Sequence, residues 1–426
     1  MRIAVAAVFC LLAWAGPCWA KEGQIIDAAT GKGVADATVT LDARVVQTDA
    51  SGHFKDDSGA MLIKARAPGY QAASAPSAAF WSGGATLKLT PFRPKALYLS
   101  MFGIANRGLR EAALQLIRDA KLNALVIDVK GDRGLIAFRS DNPLAAAVGA
   151  QRTITIPDLH ALMQALHQQG LYTIARIVTF KDNPLASQRP DLAIKLANGA
   201  VFRDREGLAW SNPAQKQVRD YNISVAVDAA RAGFDEIQFD YVRFPDAPSG
   251  KKFANPTTQA TRLDAIAAFL GGARQALQPY NVYLAVDTFG YVCWNTNDTG
   301  IGQRLDRIVP LVDYLSPMLY PSGFQFGIPG YRNPVAHPYE IVRLSLERAR
   351  MRTGVAPIRF RPWLQAFKDY AFDRRVFDYD EVANQIRGAA EFGSDGWMLW
   401  NPRNTYGGTG LAASEISASA GSSVCS

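Results

Sequence analysis

The stretch FDEIQFDYVRFP, residues 234–245, decides the fold. Apolar and polar side chains alternate along it, which is the period of a β-strand. Helix-like segments precede and follow it, so we expect its strand to lie in a sheet that helices cover on both faces. In such a sheet Gln238 and Asp240, which share one face of the strand, would both be buried away from solvent. That face needs an interior that holds polar groups, as the inside of a barrel does.

From Lys95 onward, strand-like and helix-like runs alternate. The strand-like runs are, in chain order, KALYLSM, ALVIDVKG, YTIARIVTF, FDEIQFDYV, NVYLAVDTFG, VDYLSPMLYP, RFRPWLQAF and GWMLWNP. Eight strands that alternate with helices over roughly 310 residues predict an α/β fold, a (β/α)8 TIM barrel over residues 95–408. A doubly wound sheet is the alternative, and the lack of a Gly-rich phosphate-binding loop argues against it.

Residues 21–92 have a different pattern, in which turn residues separate short strand-like runs. This pattern predicts a small N-terminal all-β sandwich of antiparallel strands. The segment resembles the carboxypeptidase regulatory-like module at Gly23, Asp27, Thr30, Gly31, Val34, Ala37, Val39, Thr48, Asp49, Gly52 and Phe54. The resemblance implies an accessory module rather than a catalytic one. Residues 409–426 are mostly small and polar, and we interpret them as a C-terminal tail.

Residues 1–20 have the pattern of a secretory signal peptide. Arg2 supplies a positive charge, an apolar run follows, and small residues precede a cleavage point after Ala20. The apolar run is shorter than the roughly 20 residues of a membrane-spanning helix. We therefore expect export to the periplasm or the extracellular space, with no stable membrane span after cleavage. Removal of this segment leaves Cys293 and Cys425, which either form a disulfide or remain two thiols.

The composition argues against several kinds of function. The net charge is +8 at pH 7, but the 46 Lys and Arg residues are scattered and form no nucleic-acid-binding motif. The four histidines and the cysteines lack the spacing of a metal site, so we expect no metal and no cofactor. The sequence has no Gly-x-Ser-x-Gly nucleophile motif. We expect a monomer that binds no nucleic acid.

Strand alternation brings acidic side chains into the predicted barrel. Asp128, Asp240 and Asp287 all have the parity of the inner face, near the C-terminal ends of strands, where TIM barrels build their active sites. Lys130 shares this parity. The alternative is that the carboxylates form structural ion pairs, namely Asp128 with Lys130, or Asp240 with Arg176 or Arg243.

Interior carboxylates with aromatic residues nearby are typical of glycosidic bond hydrolysis. One carboxyl group protonates the leaving oxygen, and the other attacks the sugar or activates a water molecule. Aromatic rings suit a glycan because a pyranose ring has an apolar face. We predict Arg243 as a charge partner of Asp240 at the rim. The predicted substrate-binding residues are Asp128, Arg176, Trp210, Gln238, Arg243, Trp294, Tyr320, Trp363 and Trp400.

FDEIQFDYVRFP, the preceding WSNPAQKQVRDYNISVAVDAARAG and the later SPMLYPSGF and GWMLWNP together resemble a bacterial family of glycoside-hydrolase-like barrels related to amylases and chitinases. The resemblance covers residues 95–410. It implies a hydrolase that acts on a polysaccharide or a cell-envelope glycan. By this resemblance Asp240 is the nucleophile or base, and Asp287 is the acid.

The resemblance to chitinase-like enzymes is partial at the fourth strand. The motif positions there hold Asp235, Gln238, Asp240 and Val242, so a valine stands where chitinases have their catalytic glutamate. This departure argues against substrate-assisted chitin hydrolysis, and the amylase-like arrangement fits better. Two alternatives remain open. One is a non-catalytic glycan-binding barrel, which the valine favours, and the other is an envelope scaffold held by the N-terminal module.

Overall fold

The structure is a computed structural model that describes most of the chain. The described residues are 20–42, 44–246, 252–255 and 257–411. The predicted signal peptide before Ala20 and most of the predicted tail lie outside these ranges. Cys425 lies outside them too, so its disulfide with Cys293 stays a prediction.

The first of two compact units ends at Thr90 and excludes Pro68–Ala72, which belong to the second unit. Its described elements are β1 (Lys21–Asp27), β2 (Thr38–Leu41), β3 (Arg44–Gln47), β4 (His53–Asp56), β5 (Leu62–Arg66), β6 (Ala73–Pro76), α1 (Ser77–Ser82) and β7 (Thr86–Leu89). One sheet has the order β4-β1-β7, and the other has the order β3-β2-β5-β6. The unit is therefore built from two small sheets.

Two features of this unit differ from the predicted antiparallel sandwich. β1 and β7 run parallel, with Ile25 beside Leu87. The helix α1 lies in a segment rich in Ala and Ser where no helix was expected. Its Phe80 is buried and packs 5.9 Å from Phe54. Tertiary packing stabilises this helix. A segment this short has no hydrophobic period from which a helix could be predicted.

The second unit contains a closed barrel of eight parallel strands among its described residues. The strands are β8 (Lys95–Leu99), β9 (Ala124–Lys130), β10 (Tyr172–Val178), β11 (Glu236–Asp240), β12 (Tyr283–Phe289), β13 (Tyr314–Met318), β14 (Trp363–Gln365) and β15 (Trp397–Trp400). Each strand pairs with the next along the chain, and β15 pairs with β8 to close the ring. The predicted (β/α)8 architecture is confirmed.

Helices connect the barrel strands and cover their outer face. They are α2 (Met101–Ala105), α3 (Arg107–Asp119), α4 (Pro143–Ala147), α5 (Leu159–His167), α6 (Asn183–Gln188), α7 (Lys216–Ala232), α8 (Gln259–Leu277), α9 (Leu305–Ile308), α10 (Pro338–Thr353) and α11 (Tyr379–Phe392). α7 ends at Gly233, whose φ of 107° is the left-handed conformation that commonly terminates helices. Within the described segments, none of the helices combines the length and hydrophobicity that a membrane crossing requires.

Side chains on the strands alternate between the barrel interior and the helices. On β11, Ile237 and Phe239 join the apolar core beneath the helices. Gln238 and Asp240 point the other way, into the barrel, where Gln238 contacts Ser316 on β13. The pleat of one strand therefore produces both the apolar outer face and the polar inner face.

Lys130 departs from this alternation. The register between β9 and β10 shifts by one residue, so that Ile177 lies beside Lys130 rather than beside Val129. Such a bulge turns the following side chain to the opposite face. The ammonium of Lys130 pairs with Asp182 at 2.7 Å and donates to Asn222 Oδ1 on α7 at 2.9 Å. The prediction that Lys130 points into the barrel is therefore wrong, and the alternative of an Asp128–Lys130 ion pair is not observed.

Candidate active site

Arg176 on β10 organises the upper interior of the barrel. Its guanidinium donates to Asp128 Oδ1 at 2.7 Å, to Asp240 Oδ2 at 2.6 and 3.0 Å, and to Asp132 Oδ1 at 3.0 Å. Because 2% of Arg176 is exposed, these charges interact in a medium of low polarity. The strand register brings these groups together. Arg176 lies beside Asp128 on β9, and on β11 it lies beside Gln238, two residues before Asp240.

Asp240 ends β11, and donors hold both of its carboxylate oxygens. Oδ2 accepts from Arg176, and Oδ1 accepts from the backbone N–H of Tyr241 at 2.5 Å. Tyr241 has a φ of 50°, a left-handed conformation that a bulky side chain seldom adopts. The chain therefore leaves the barrel wall directly after Asp240. The strand-like run was predicted to continue through Tyr241, but the strand ends at Asp240; the Tyr241 ring still packs partly against the apolar core beneath the helices.

Asp287 lies on β12, beside β11. The register pairs Phe239 with Val286, so Asp287 comes next to Asp240 on the neighbouring strand. Asp287 is 1% exposed; its Oδ1 accepts from Trp363 Nε1 at 2.8 Å, and its Oδ2 has no hydrogen-bond partner among the described residues. Burial raises the pKa of Asp287 well above the ordinary carboxyl range, and the charge of Asp240 raises it further. Asp287 is thereby favoured in its protonated form.

Asp128 on β9 completes the group of interior carboxylates. Its Oδ1 accepts from Arg176, and its Oδ2 accepts from the hydroxyl of Tyr98 at 2.6 Å. Burial raises the pKa of Asp128 to about 6, although the charge of Arg176 opposes this rise. Asp128 and Asp240 therefore share the guanidinium of Arg176, and Asp128 is placed to orient it.

Aromatic side chains surround the carboxylates. Trp400 stacks on Tyr98 with ring centroids 3.9 Å apart, and the guanidinium of Arg176 lies 4.6 Å from the Trp400 ring centre. Trp363 meets Trp400 edge-on at 5.6 Å. Tyr320 follows β13, and the charges of two neighbouring aspartates raise the pKa of its hydroxyl beyond the effect of burial. Trp400 and Tyr320 are half-buried, which leaves part of each ring open to a ligand.

Gln238 lies in the layer below the aspartates. Its amide donates to Ser316 Oγ at 3.1 Å and to Met398 Sδ at 3.3 Å, while its Oε1 has no partner among the described residues. No part of Gln238 is exposed. Gln238 therefore packs the interior and does not reach a substrate in this structure, which corrects the substrate-binding role predicted for it.

A second buried charge network lies at the start of the strands, at the opposite end from Asp240. Arg361 donates to Glu236 and, at 2.7 Å, to Asp395 Oδ2. The hydroxyl of Tyr172 also donates to Glu236, at 2.9 Å. Glu236 and Asp395 thus share the one guanidinium of Arg361 at the N-terminal end of the barrel, where TIM barrels carry stability rather than catalysis.

Trp210 and Arg243 line a cavity of about 500 Å³ together with Tyr241, the residue after Asp240. The Arg243 guanidinium lies 4.9 Å from the Trp210 ring centre and 5.5 Å from that of Tyr241. Its charge faces Asp246 at 3.6 Å. The prediction that Arg243 is the charge partner of Asp240 is wrong, since Arg176 fills that role. Trp210 and Arg243 border the candidate site without contacting its carboxylates.

Trp294 and Val242 lie apart from the aspartates. The indole N–H of Trp294 donates to Ser345 Oγ on α10 at 2.9 Å, so this ring packs outside the barrel. Val242 is fully buried in the apolar core beneath the helices. Because the chain turns at Tyr241, position 242 does not continue the inner face of β11.

Two neighbours of Arg176 were not predicted from the sequence. Tyr98 alternates with Ala96 on the inner face of β8, so strand parity offered a signal for it. Asp132 lies in the segment after β9, beyond the reach of any periodic pattern. No pattern in the sequence predicted the left-handed backbone of Tyr241 either.

The site offers acid–base and nucleophilic groups. Asp287 favours its proton, whereas Asp240 is held between a guanidinium and a backbone N–H that stabilise a carboxylate charge. Within the described ranges, no group of three or more His, Cys, Asp or Glu side chains is placed to hold a metal ion. A carboxyl group that favours its proton, beside a carboxylate held by hydrogen-bond donors, is the pattern of an acid paired with a nucleophile or base.

Solved structures of several glycoside hydrolases share the fold. The glycoside hydrolase domain of PgaB (BpsB) from Bordetella bronchiseptica has a TM-score of 0.54 at 14% identity, over 78% of this chain and 98% of its own. A β-galactosidase from the psychrophilic Marinomonas ef1 has a TM-score of 0.55 at 12% identity, over 77% of this chain and 59% of its own. At these identities, the likeness shows the barrel fold alone.

A hypothetical protein from Ruminiclostridium thermocellum is 32% identical over 45% of this chain and 96% of its own, with a TM-score of 0.39. None of the curated proteins compared with the chain matches it. One family model matches residues 96–406, which span the whole barrel from β8 to the segment after β15. The chain therefore belongs to the family described as "putative glycosyl hydrolase domain".

Proposed function

We propose that the protein is an exported glycoside hydrolase of a polysaccharide or cell-envelope glycan, with Asp240 as the nucleophile and Asp287 as the acid. The observation that carries this proposal is the contrast between two adjacent carboxyl groups. Asp287 is buried with one oxygen unpaired and a raised pKa, whereas donors bind both oxygens of Asp240. Glycosidases need this division between a proton donor and an ionised carboxylate.

The proposed reaction proceeds in two displacements. Asp287 gives its proton to the glycosidic oxygen as Asp240 attacks the anomeric carbon, which releases the leaving sugar and forms a glycosyl ester on Asp240. The Asp287 carboxylate then takes a proton from a water molecule that displaces Asp240. Because adjacent strands lie about 4.8 Å apart, neighbouring positions on β11 and β12 suit the short carboxyl separation of retaining enzymes.

The surrounding residues have distinct parts in this proposal. Arg176 and the Tyr241 N–H orient Asp240, and Asp128 in turn orients Arg176. The half-buried rings of Trp400 and Tyr320 would stack on the sugar at the reaction centre. The cavity lined by Trp210 and Arg243 would bind the next part of the glycan.

The alternative to this proposal is a non-catalytic glycan-binding barrel. That alternative rested on Val242, at the position of the chitinase glutamate. Since the chain leaves the inner face at Tyr241 and buries Val242 under the helices, a glutamate at 242 would not face Asp240. The apolar side chain there is not evidence of a lost catalytic group.

Hydrolysis of aryl glycosides tests the proposal. Asp240→Asn should abolish turnover of every aryl glycoside that the wild type cleaves. Asp287→Asn should lower kcat/KM for 4-nitrophenyl glycosides by about 10²–10⁴-fold, the usual contribution of a general acid, and lower kcat/KM for 2,4-dinitrophenyl glycosides far less because their leaving group needs no proton. Asp220→Asn, an exposed carboxylate on α7, is the matched control and should remain fully active. Retained turnover in Asp240→Asn would remove Asp240 from the mechanism.

Export, a monomeric state and an accessory role for the N-terminal unit complete the proposal. They rest on the signal-like pattern of residues 1–20 and on the resemblance of residues 21–92 to the carboxypeptidase regulatory-like module. Fractionation of cells that express the full chain should recover it outside the cytoplasm, shortened after Ala20. A full-length product retained in the cytoplasm would contradict export without touching the chemistry of the barrel.

A further inference from the structure

A cavity of about 580 Å³ lies where the segments after β12 and β13 meet α10. Its walls include Tyr291, Trp294, Ile328, Arg348 and Met351. Tyr291 is four residues beyond Asp287 along the chain, so the cavity is built at the same end of the barrel as the proposed catalytic pair. None of the catalytic candidates lines it.

The aromatic walls of this cavity are held in fixed positions. The indole N–H of Trp294 donates to Ser345 Oγ at 2.9 Å. The hydroxyl of Tyr291 donates to Gly327 O at 3.1 Å and accepts from the Phe326 N–H at 2.8 Å. Rings that are already ordered lose little conformational freedom when a ligand binds, which favours recognition of a flat apolar face.

The charge at the cavity is positive and incompletely balanced. The Nε of Arg348 is buried and has no hydrogen-bond acceptor among the described residues. Glu347, the acidic residue of the lining, already accepts from Arg343 at 2.9 Å. Arg352 lies close by, where burial lowers its pKa and the charge of Arg348 lowers it further. A bound anion would accept from the part of the Arg348 guanidinium that lines the cavity and would relieve the repulsion between the two guanidinium groups.

We propose that this cavity is a second glycan site that binds an acidic sugar, with its ring on Trp294 and Tyr291 and its carboxylate on Arg348. The ligand class is a hexuronate unit within a polysaccharide chain. The choice of a saccharide rests on the proposed function of the barrel, whereas the preference for an acid rests on Arg348. The site would hold a polymer close to the catalytic end without taking part in bond cleavage.

Calorimetric binding to the Asp240→Asn protein tests this site without turnover of the ligand. The probes are hexuronate oligosaccharides of galacturonate, glucuronate and mannuronate, with neutral hexose oligosaccharides of equal length beside them. Trp294→Ala should weaken hexuronate binding by about tenfold, and Arg348→Gln should do the same while leaving binding of neutral oligosaccharides unchanged. Arg350→Gln removes the same charge from an exposed position on α10 and should change neither.

Three outcomes would overturn the inference. They are no binding of hexuronates by the parent protein, equal binding by Trp294→Ala and Arg348→Gln, or an equal loss in Arg350→Gln. Thermal unfolding of each variant checks that a loss of binding is not a loss of fold. Cleavage of 4-nitrophenyl monosaccharides by the protein with Asp240 intact tests the proposed function separately. If no aryl glycoside is cleaved, the proposed function fails while the binding result still stands.

Discussion

Replacing Arg176 with glutamine removes the cation that three carboxylates share. Arg176 donates to Asp128, Asp132 and Asp240 from a position that is 2% exposed. Glutamine keeps part of the side-chain volume and some hydrogen-bonding capacity but carries no charge. The variant therefore isolates the electrostatic role of Arg176 within a barrel whose apolar core is unchanged.

The magnitude follows from the burial of the carboxylates. Even beside Arg176, burial raises the pKa of Asp128 from 3.8 to about 6, which corresponds to about 3 kcal/mol against its ionised form. A carboxyl group with a raised pKa stabilises the fold below pH 3.8, and this contribution is lost as the pH rises through about 6. Without Arg176, the free energy of unfolding falls further as the pH rises, because no cation offsets the burial of the charged carboxylates. Removing one partner of a buried ion pair costs about 3–5 kcal/mol once the carboxylates are charged.

Urea unfolding followed by tryptophan fluorescence measures this effect. Arg176→Gln should lower the free energy of unfolding by about 3–5 kcal/mol at about pH 7.5 and by about 1 kcal/mol at about pH 5, where Asp128 takes up a proton. Adding Asp240→Asn should recover part of the loss at the higher pH. Arg107→Gln, an exposed arginine paired with Glu111, is the control and should show no pH-dependent loss. An equal loss at both pH values with no recovery in the double variant would refute the reasoning.

Two further predictions concern the acid and the floor of the barrel. Trp363→Phe removes the hydrogen bond that lowers the pKa of Asp287, so the alkaline limb of the pH–rate profile should move to higher pH; an unmoved limb would show that Asp287 is not the acid. Glu236→Gln breaks the buried pair with Arg361 and should lower the free energy of unfolding by about 3 kcal/mol, measured in urea, with unchanged turnover of aryl glycosides. A large loss of turnover at unchanged stability would place Glu236 in the mechanism.

The barrel was predictable because strands and helices carry different hydrophobic periods. The same alternation identified the inner-face positions of Asp128, Asp240 and Asp287, since the pleat of a regular strand sends every second side chain inward. The prediction failed where a strand is irregular. The bulge at the end of β9 turned Lys130 outward, and the left-handed Tyr241 ended β11 early.

The sequence predicted which side chains face the barrel interior better than it predicted which of them pair with each other. Arg243 is three residues from Asp240 along the chain, yet it lies over Trp210, and the distant Arg176 reaches the carboxylate instead. Which arginine reaches it depends on the register between strands, which no local pattern records. Trp294 lies in a segment whose course depends on packing against α10. The sequence therefore could not predict that Trp294 lies apart from the aspartates.

The central claim is that Asp240 forms a covalent bond to the sugar. Incubation with a panel of 2-deoxy-2-fluoro glycosyl fluorides, which slow release of the glycosyl ester, followed by mass analysis of peptides tests it directly. The account predicts one fluoroglycosyl group on the peptide that contains Asp240, and none in Asp240→Asn. An adduct on Asp287 or Asp128, or hydrolysis with inverted product and no adduct, would contradict it.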